Sequence, residues 1–158
     1  MSKTVTYLHI RAISARATRG VLTCGSLVVP CALGRSGRLV LNREADGGTP
    51  VGFWLLRRIY YRGDRLIRPL SKIPASPIKG GWGWCETVGD GNYNRRVDLP
   101  YPAAHEDLKR PDHLYDIVVE TSHNQRPRIQ GRGSAIFFHL ARENFAPTAG
   151  CIAVTLKD

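Results

Sequence analysis

The chain has 158 residues, 42% of them hydrophobic, and a net charge of +10 from 23 Lys+Arg against 13 Asp+Glu. That length fits a single domain over residues 1–158 with an ordinary core, and no uninterrupted apolar run is long enough for a transmembrane helix. The charge calls for an anionic partner such as anionic lipid or a carboxylate-bearing polymer; scattered arginines without an RNP-type aromatic signature argue against nucleic acid.

Sixteen glycines and ten prolines punctuate the chain too often for long helices and favour many short strands. Residues 4–13 alternate and predict a first strand. Val21–Gly34 follows Arg11, Arg16 and Arg19 and loosely imitates an export signal. Gly25, Ser26 and Pro30 interrupt it, and the segment reads better as two strands around a Gly25-Ser26 turn. Residues 42–52 form a loop in which Asp46-Gly47-Gly48 permits positive φ and Pro50 keeps Thr49 extended. A strand is expected over Phe53–Tyr61, then a long Pro/Lys/Ser/Gly-rich connection over 69–83. The segment from Trp82 to Pro102 mixes aromatic, amide and guanidinium groups, including Tyr93, Asn94 and Arg95. It suits a polar ligand and suits equally a loop that caps the core. Ala103–Arg110 predicts a short helix ended by Pro111. Leu114–Glu120 and Ser134–His139 read as strands, with a polar turn at Ser122-His123-Asn124 between them.

Four cysteines, Cys24, Cys31, Cys85 and Cys151, show no C-x-x-C spacing, which argues against structural zinc. Cys24 and Cys31 could pair if their strands lie side by side, and Cys85 reads as a buried thiol. Cys151 is different, because Gly150 precedes it and His139 lies twelve positions upstream on a strand. Period two puts His139 on one face with Ala135 and Phe137. A core histidine would look the same, but a thiol and an imidazole brought together also supply a nucleophile and its base. Zinc ligation by His123, His139 and Cys151 is the remaining alternative.

Ser134-Ala-Ile-Phe-Phe-His139 followed by Pro147-Thr-Ala-Gly-Cys151-Ile-Ala resembles the catalytic core of the L,D-transpeptidase family (the YkuD-like domain), bacterial cell-wall crosslinking enzymes. Glu44-Ala-Asp-Gly-Gly-Thr-Pro-Val-Gly52 is similar to the family's acidic, Gly-rich loop. Trp84-Cys85, Asn92–Arg95, Tyr115-Asp116 and His123-Asn124 extend the resemblance, which runs from about Pro30 to Ala153.

The resemblance implies a mainly β fold of packed mixed sheets, sandwich-like, with one or two short helices and a long capping loop. It implies Cys151 as nucleophile, His139 as base and the backbone N–H groups of Gly150 and Cys151 as oxyanion donors. Substrate contacts would come from Thr148, Ala149, His123, Asn124, Tyr93, Asn94 and Arg95. The partners would be donor and acceptor peptidoglycan stem peptides, carbapenem-type inhibitors would acylate the thiol, and no cofactor or metal is implied. Peptidoglycan as substrate implies a periplasmic or cell-envelope location. Water in place of the acceptor amine would make a hydrolase, and a degenerate site would leave a wall-binding module. Two positions depart from the family's Ser/Thr-His-Gly-Cys-x-Arg: Ala149 replaces the histidine and Ala153 the arginine. With that carboxylate anchor gone, 1→3 crosslinking stands beside 3→3.

Overall fold

The computed structural model describes residues 7–158; residues 4–6 of the expected first strand lie outside them. The molecule is built on one eight-stranded mixed sheet in the order β1-β2-β3-β13-β12-β11-β6-β7. Its strands are β1 (His9–Ala12), β2 (Arg19–Cys24), β3 (Leu27–Ala32), β6 (Leu56–Tyr61), β7 (Ala75–Pro77), β11 (Ile117–Thr121), β12 (Phe137–Leu140) and β13 (Ile152–Val154). A three-stranded sheet follows the order β10-β8-β9, from β8 (Trp82–Cys85), β9 (Arg96–Asp98) and β10 (His105–Asp107). The short strands β4 (Arg38–Leu39) and β5 (Thr49–Pro50) pair in parallel.

The hairpin of β2 and β3 turns at Gly25-Ser26, with Cys24 opposite Leu27 and Gly25 at φ +62°. Glycine accepts that left-handed conformation without a Cβ clash. The same register sets Cys31 opposite Gly20. The two cysteines therefore sit at different rungs, and all four cysteines are free thiols.

Alternation along β12 and β13 divides the apolar residues between two cores. On one face Phe137 and Cys151 join Tyr60, Trp84, Leu108, Tyr115 and Val118. Trp84 and Tyr115 both meet the Phe137 ring edge-on, at 5.1 and 5.9 Å between centroids. On the other face Ile152 and Val154 join Leu22, Val29, Cys31 and Leu33, with Phe138 and Trp54 against them. Cys85 is fully buried, as its setting between Trp84 and Glu86 suggested.

Residues 103–110 form no helix. His105–Asp107 is the strand β10, paired antiparallel with β8 so that Glu106 faces Trp84. Eight residues between Pro102 and Pro111 are too few to hold a helix unaided, whereas pairing with β8 buries Leu108 completely. The ion pair of Glu106 with Arg110, which would have supported a helix, forms regardless. Among the described residues the one helical turn is a 3-10 turn at Glu143–Phe145, with Asn144 and Phe145 at positive φ. The strand expected over Ser134–His139 starts only at Phe137, because Ala135 takes φ +50°. The strand expected from Phe53 starts at Leu56, and Phe53 is 97% exposed.

Candidate active site

The strands β12 and β13 run parallel, so the chain leaving Leu140 must return to the sheet end where β12 began. Residues 141–151 make that return and deliver Cys151 beside the start of β12. Register pairs Phe138 with Ile152 and His139 with Ala153, so Cys151 lies level with Phe137 and points to the same face. His139 shares that face two residues along, roughly 7–8 Å away at the backbone, and among the described residues no hydrogen bond joins its ring to the thiol.

A crossing of three backbone segments at four glycines fixes the return loop. A Cβ on Gly150 would meet the Gly48 carbonyl oxygen at 2.9 Å, and one on Gly34 would meet the Gly47 carbonyl oxygen at 2.3 Å. Gly150 also has φ +138°, so any side chain there is strained. The Thr148 hydroxyl donates to the Cys151 carbonyl oxygen at 2.6 Å and accepts the Gly150 N–H at 3.1 Å. One expected oxyanion donor is thus already engaged within the loop.

The thiol of Cys151 donates to the Ala135 carbonyl at 3.2 Å and accepts the Phe137 N–H at 3.3 Å. Burial pushes it up to about 12, offset partly by the Phe137 N–H and reinforced by the Glu106 charge. Burial also pushes His139 down to about 4, against the Leu140 carbonyl and with the Arg110 and Arg142 charges. His139 Nδ1 lies 2.8 Å from the Leu140 carbonyl oxygen. A carbonyl only accepts, so Nδ1 carries the proton and Nε2 keeps the lone pair. The Tyr115 ring holds the imidazole edge-on at 5.3 Å. The resting pair is therefore a neutral thiol and a neutral imidazole, the ring hydrogen-bonded to a backbone carbonyl and packed against Tyr115.

Cys151 opens onto a cleft of about 400 Å³ whose walls include Ala135, Tyr115 and Ala149, four carboxylates (Glu44, Asp46, Glu86, Glu106) and two guanidinium groups (Arg35, Arg43). Of the residues named from sequence, Cys151 and Ala149 line it. Others named as substrate contacts stand one layer back. Asn94 is 2% exposed and spends its amide on protein groups. Its Oδ1 accepts the Trp84 Nε1–H at 2.9 Å and the Ala135 N–H at 3.2 Å, while Nδ2 donates to the carbonyls of His123 and Asn124. Tyr93 is fully buried and its hydroxyl donates to Glu44. The Asn124 amide bonds Ile129 and Gly133, closing its own loop. His123 lies 3.3 Å from the Arg132 carbonyl and packs edge-on against Trp54. Arg95 is exposed and outside the cleft. Buried amides and phenols satisfied by the protein have no free donor or acceptor for a ligand.

Glu86 and Glu106 were invisible as site residues in the sequence. The alternation His105, Glu106, Asp107, Leu108 was the available signal, since a strand there sends Glu106 and the buried Leu108 to one face. Ala153, where an arginine would anchor a carboxylate, is fully buried beside His139.

Neither a curated protein nor a solved structure matches the chain. The L,D-transpeptidase catalytic domain family matches it over residues 16–158, from the start of the β2–β3 hairpin region through the thiol loop and β13. With nine-tenths of its length matched, the chain belongs to the L,D-transpeptidase catalytic domain family.

Proposed function

We propose that the protein is a peptidoglycan L,D-transpeptidase whose nucleophile is Cys151 and whose base is His139. The observation that carries this reading is the position of Cys151: its side chain borders the cleft on the same sheet face as His139. Nε2 of His139 takes the thiol proton as Sγ attacks the carbonyl carbon of an L-centre in a donor stem peptide. Because both groups rest neutral, proton transfer accompanies the attack instead of preceding it.

The carbonyl C–N bond breaks, the departing amine takes the proton from Nε2, and a thioester on Cys151 remains. The N–H of Cys151 serves the developing oxyanion, and that of Gly150 joins it on releasing Thr148. The amine of an acceptor stem, the one on the D-centre of meso-diaminopimelate, then attacks the thioester carbon. It gives a proton to Nε2, the C–S bond breaks, and the thiolate is reprotonated. The donor is a diaminopimelate carbonyl for a 3→3 crosslink or a first-position L-alanine carbonyl for a 1→3 crosslink. The work belongs to the cell envelope, on the periplasmic side.

Disaccharide-tripeptide and disaccharide-tetrapeptide incubated with the wild type should yield crosslinked dimers by mass spectrometry, and fragmentation locates the new bond. Cys151→Ala should abolish them and His139→Ala should reduce them at least a hundredfold. Shortened stems without dimers would assign a hydrolase, and dimers made by Cys151→Ala would overturn the scheme.

A further inference from the structure

Three of the four carboxylates in the cleft have donors of their own. Tyr93 donates to Glu44, the N–H groups of Arg43 and Gly48 donate to Asp46 at 2.6 and 2.8 Å, and Arg110 pairs with Glu106. The carboxylate of Glu86 accepts no hydrogen bond among the described residues, although its backbone N–H is bonded to the Ala104 carbonyl at 3.1 Å. Burial raises its pKa, as do the like charges of Glu106 and then Glu44, while His105 acts in the other direction.

Ser134, on the same cleft, adds a second unmet group. It is 8% exposed, and its Oγ makes no hydrogen bond of ordinary geometry, the Tyr93 phenol being a weak hydrogen-bond neighbour. A half-buried carboxylate facing two like charges and a buried hydroxyl short of a full partner both favour a ligand that brings N–H donors and positive charge.

Resting on the reading of Cys151 as an acyl-transferring nucleophile, we propose that Glu86, with Ser134, binds the ammonium group of the acceptor substrate. The cleft selects a cationic amine even though the molecule as a whole is strongly basic. An alkyl ammonium has a pKa of about 10 in water, so it docks charged and loses its proton to solvent before attack. Glu86 is a binding group in this scheme, and the proton chemistry stays with His139.

The test uses the full chain and its Glu86→Gln and Glu86→Asp variants, with disaccharide-tetrapeptide as donor and disaccharide-tripeptide as acceptor. Acyl-enzyme is read first, by mass, and it should form in all three proteins. The KM for the acceptor should then rise about tenfold in Glu86→Gln, the loss of one charge-assisted contact. Thioester should drain to water, and Glu86→Asp should recover part of the transfer. Acetylating the acceptor's amine should weaken its competition against the wild type and leave Glu86→Gln indifferent. Acyl-enzyme with an unchanged acceptor KM in Glu86→Gln overturns the subsite alone. A wild type that forms no acyl-enzyme overturns the nucleophile reading and the subsite with it.

Discussion

His139, the base of the proposed reaction, carries a stability cost. The residue is 7% exposed, and burial lowers its pKa from 6.5 to about 4. Between those values the unfolded chain binds a proton that the folded chain does not, so stability falls as pH falls through the window. Above pH 6.5 both states are neutral and the group contributes nothing to the pH dependence. The full loss below pH 4 is about 3 kcal/mol. Thermal melts of the wild type and His139→Gln between pH 7 and pH 4 should diverge, with the wild type falling more steeply. Parallel curves would show that the imidazole titrates normally in the folded protein. The same neutrality at pH 7 leaves Nε2 able to accept a proton, which a histidinium could not do.

Among the elements, the segment 133–137 decides where the thiol sits. Ala135 takes a left-handed φ of +50°, its N–H is held by Asn94, and its carbonyl receives the Cys151 thiol. Asn94 is itself left-handed, at φ +54°, which asparagine tolerates better than most residues. One buried amide thereby ties β8, through Trp84, to the segment that faces the Cys151 thiol. Asn94→Ala should cost roughly 3 kcal/mol, because it leaves the buried Trp84 and Ala135 N–H groups without acceptors. Chemical denaturation measures the loss. Asn94→Asp keeps both acceptor contacts but turns a buried carboxyl oxygen toward the carbonyls of His123 and Asn124, so it should also destabilise the fold, with the 122–133 loop losing protection first by amide hydrogen exchange.

Over the whole molecule, a net charge of +10 surrounds a cleft whose carboxylates outnumber its guanidinium groups four to two. Long-range attraction and local selection therefore have opposite signs. The first operates over a Debye length, which shrinks from about 10 Å at 0.1 M salt to about 3 Å at 1 M. Retention of the protein on purified peptidoglycan sacculi should fall steeply over that range if the basic surface draws it to the wall. Retention independent of salt would assign wall binding to short-range contacts instead. Among the described residues no helix is long and apolar enough to cross a membrane.

Local chemistry was enough to read the β-rich character, the Gly25-Ser26 hairpin, the buried Cys85 and the glycine before Cys151. Turn residues and alternation depend on neighbours a few positions away, and the order of the motifs carried the family. The same local reading made a helix of 103–110, whose eight residues have no preference strong enough to resist pairing with β8. It left Tyr93, Asn94, His123 and Asn124 open between a ligand and the core, and the family resemblance gave them to the substrate, since a polar side chain looks alike whether it meets a ligand or a buried backbone group. Only the tertiary structure decided those cases. It also brought Glu86 and Glu106 to face a thiol 65 and 45 positions away in the chain, and it made both catalytic candidates neutral at rest. Burial and long-range pairing set these properties, and neither exists until the two sheets close around Phe137.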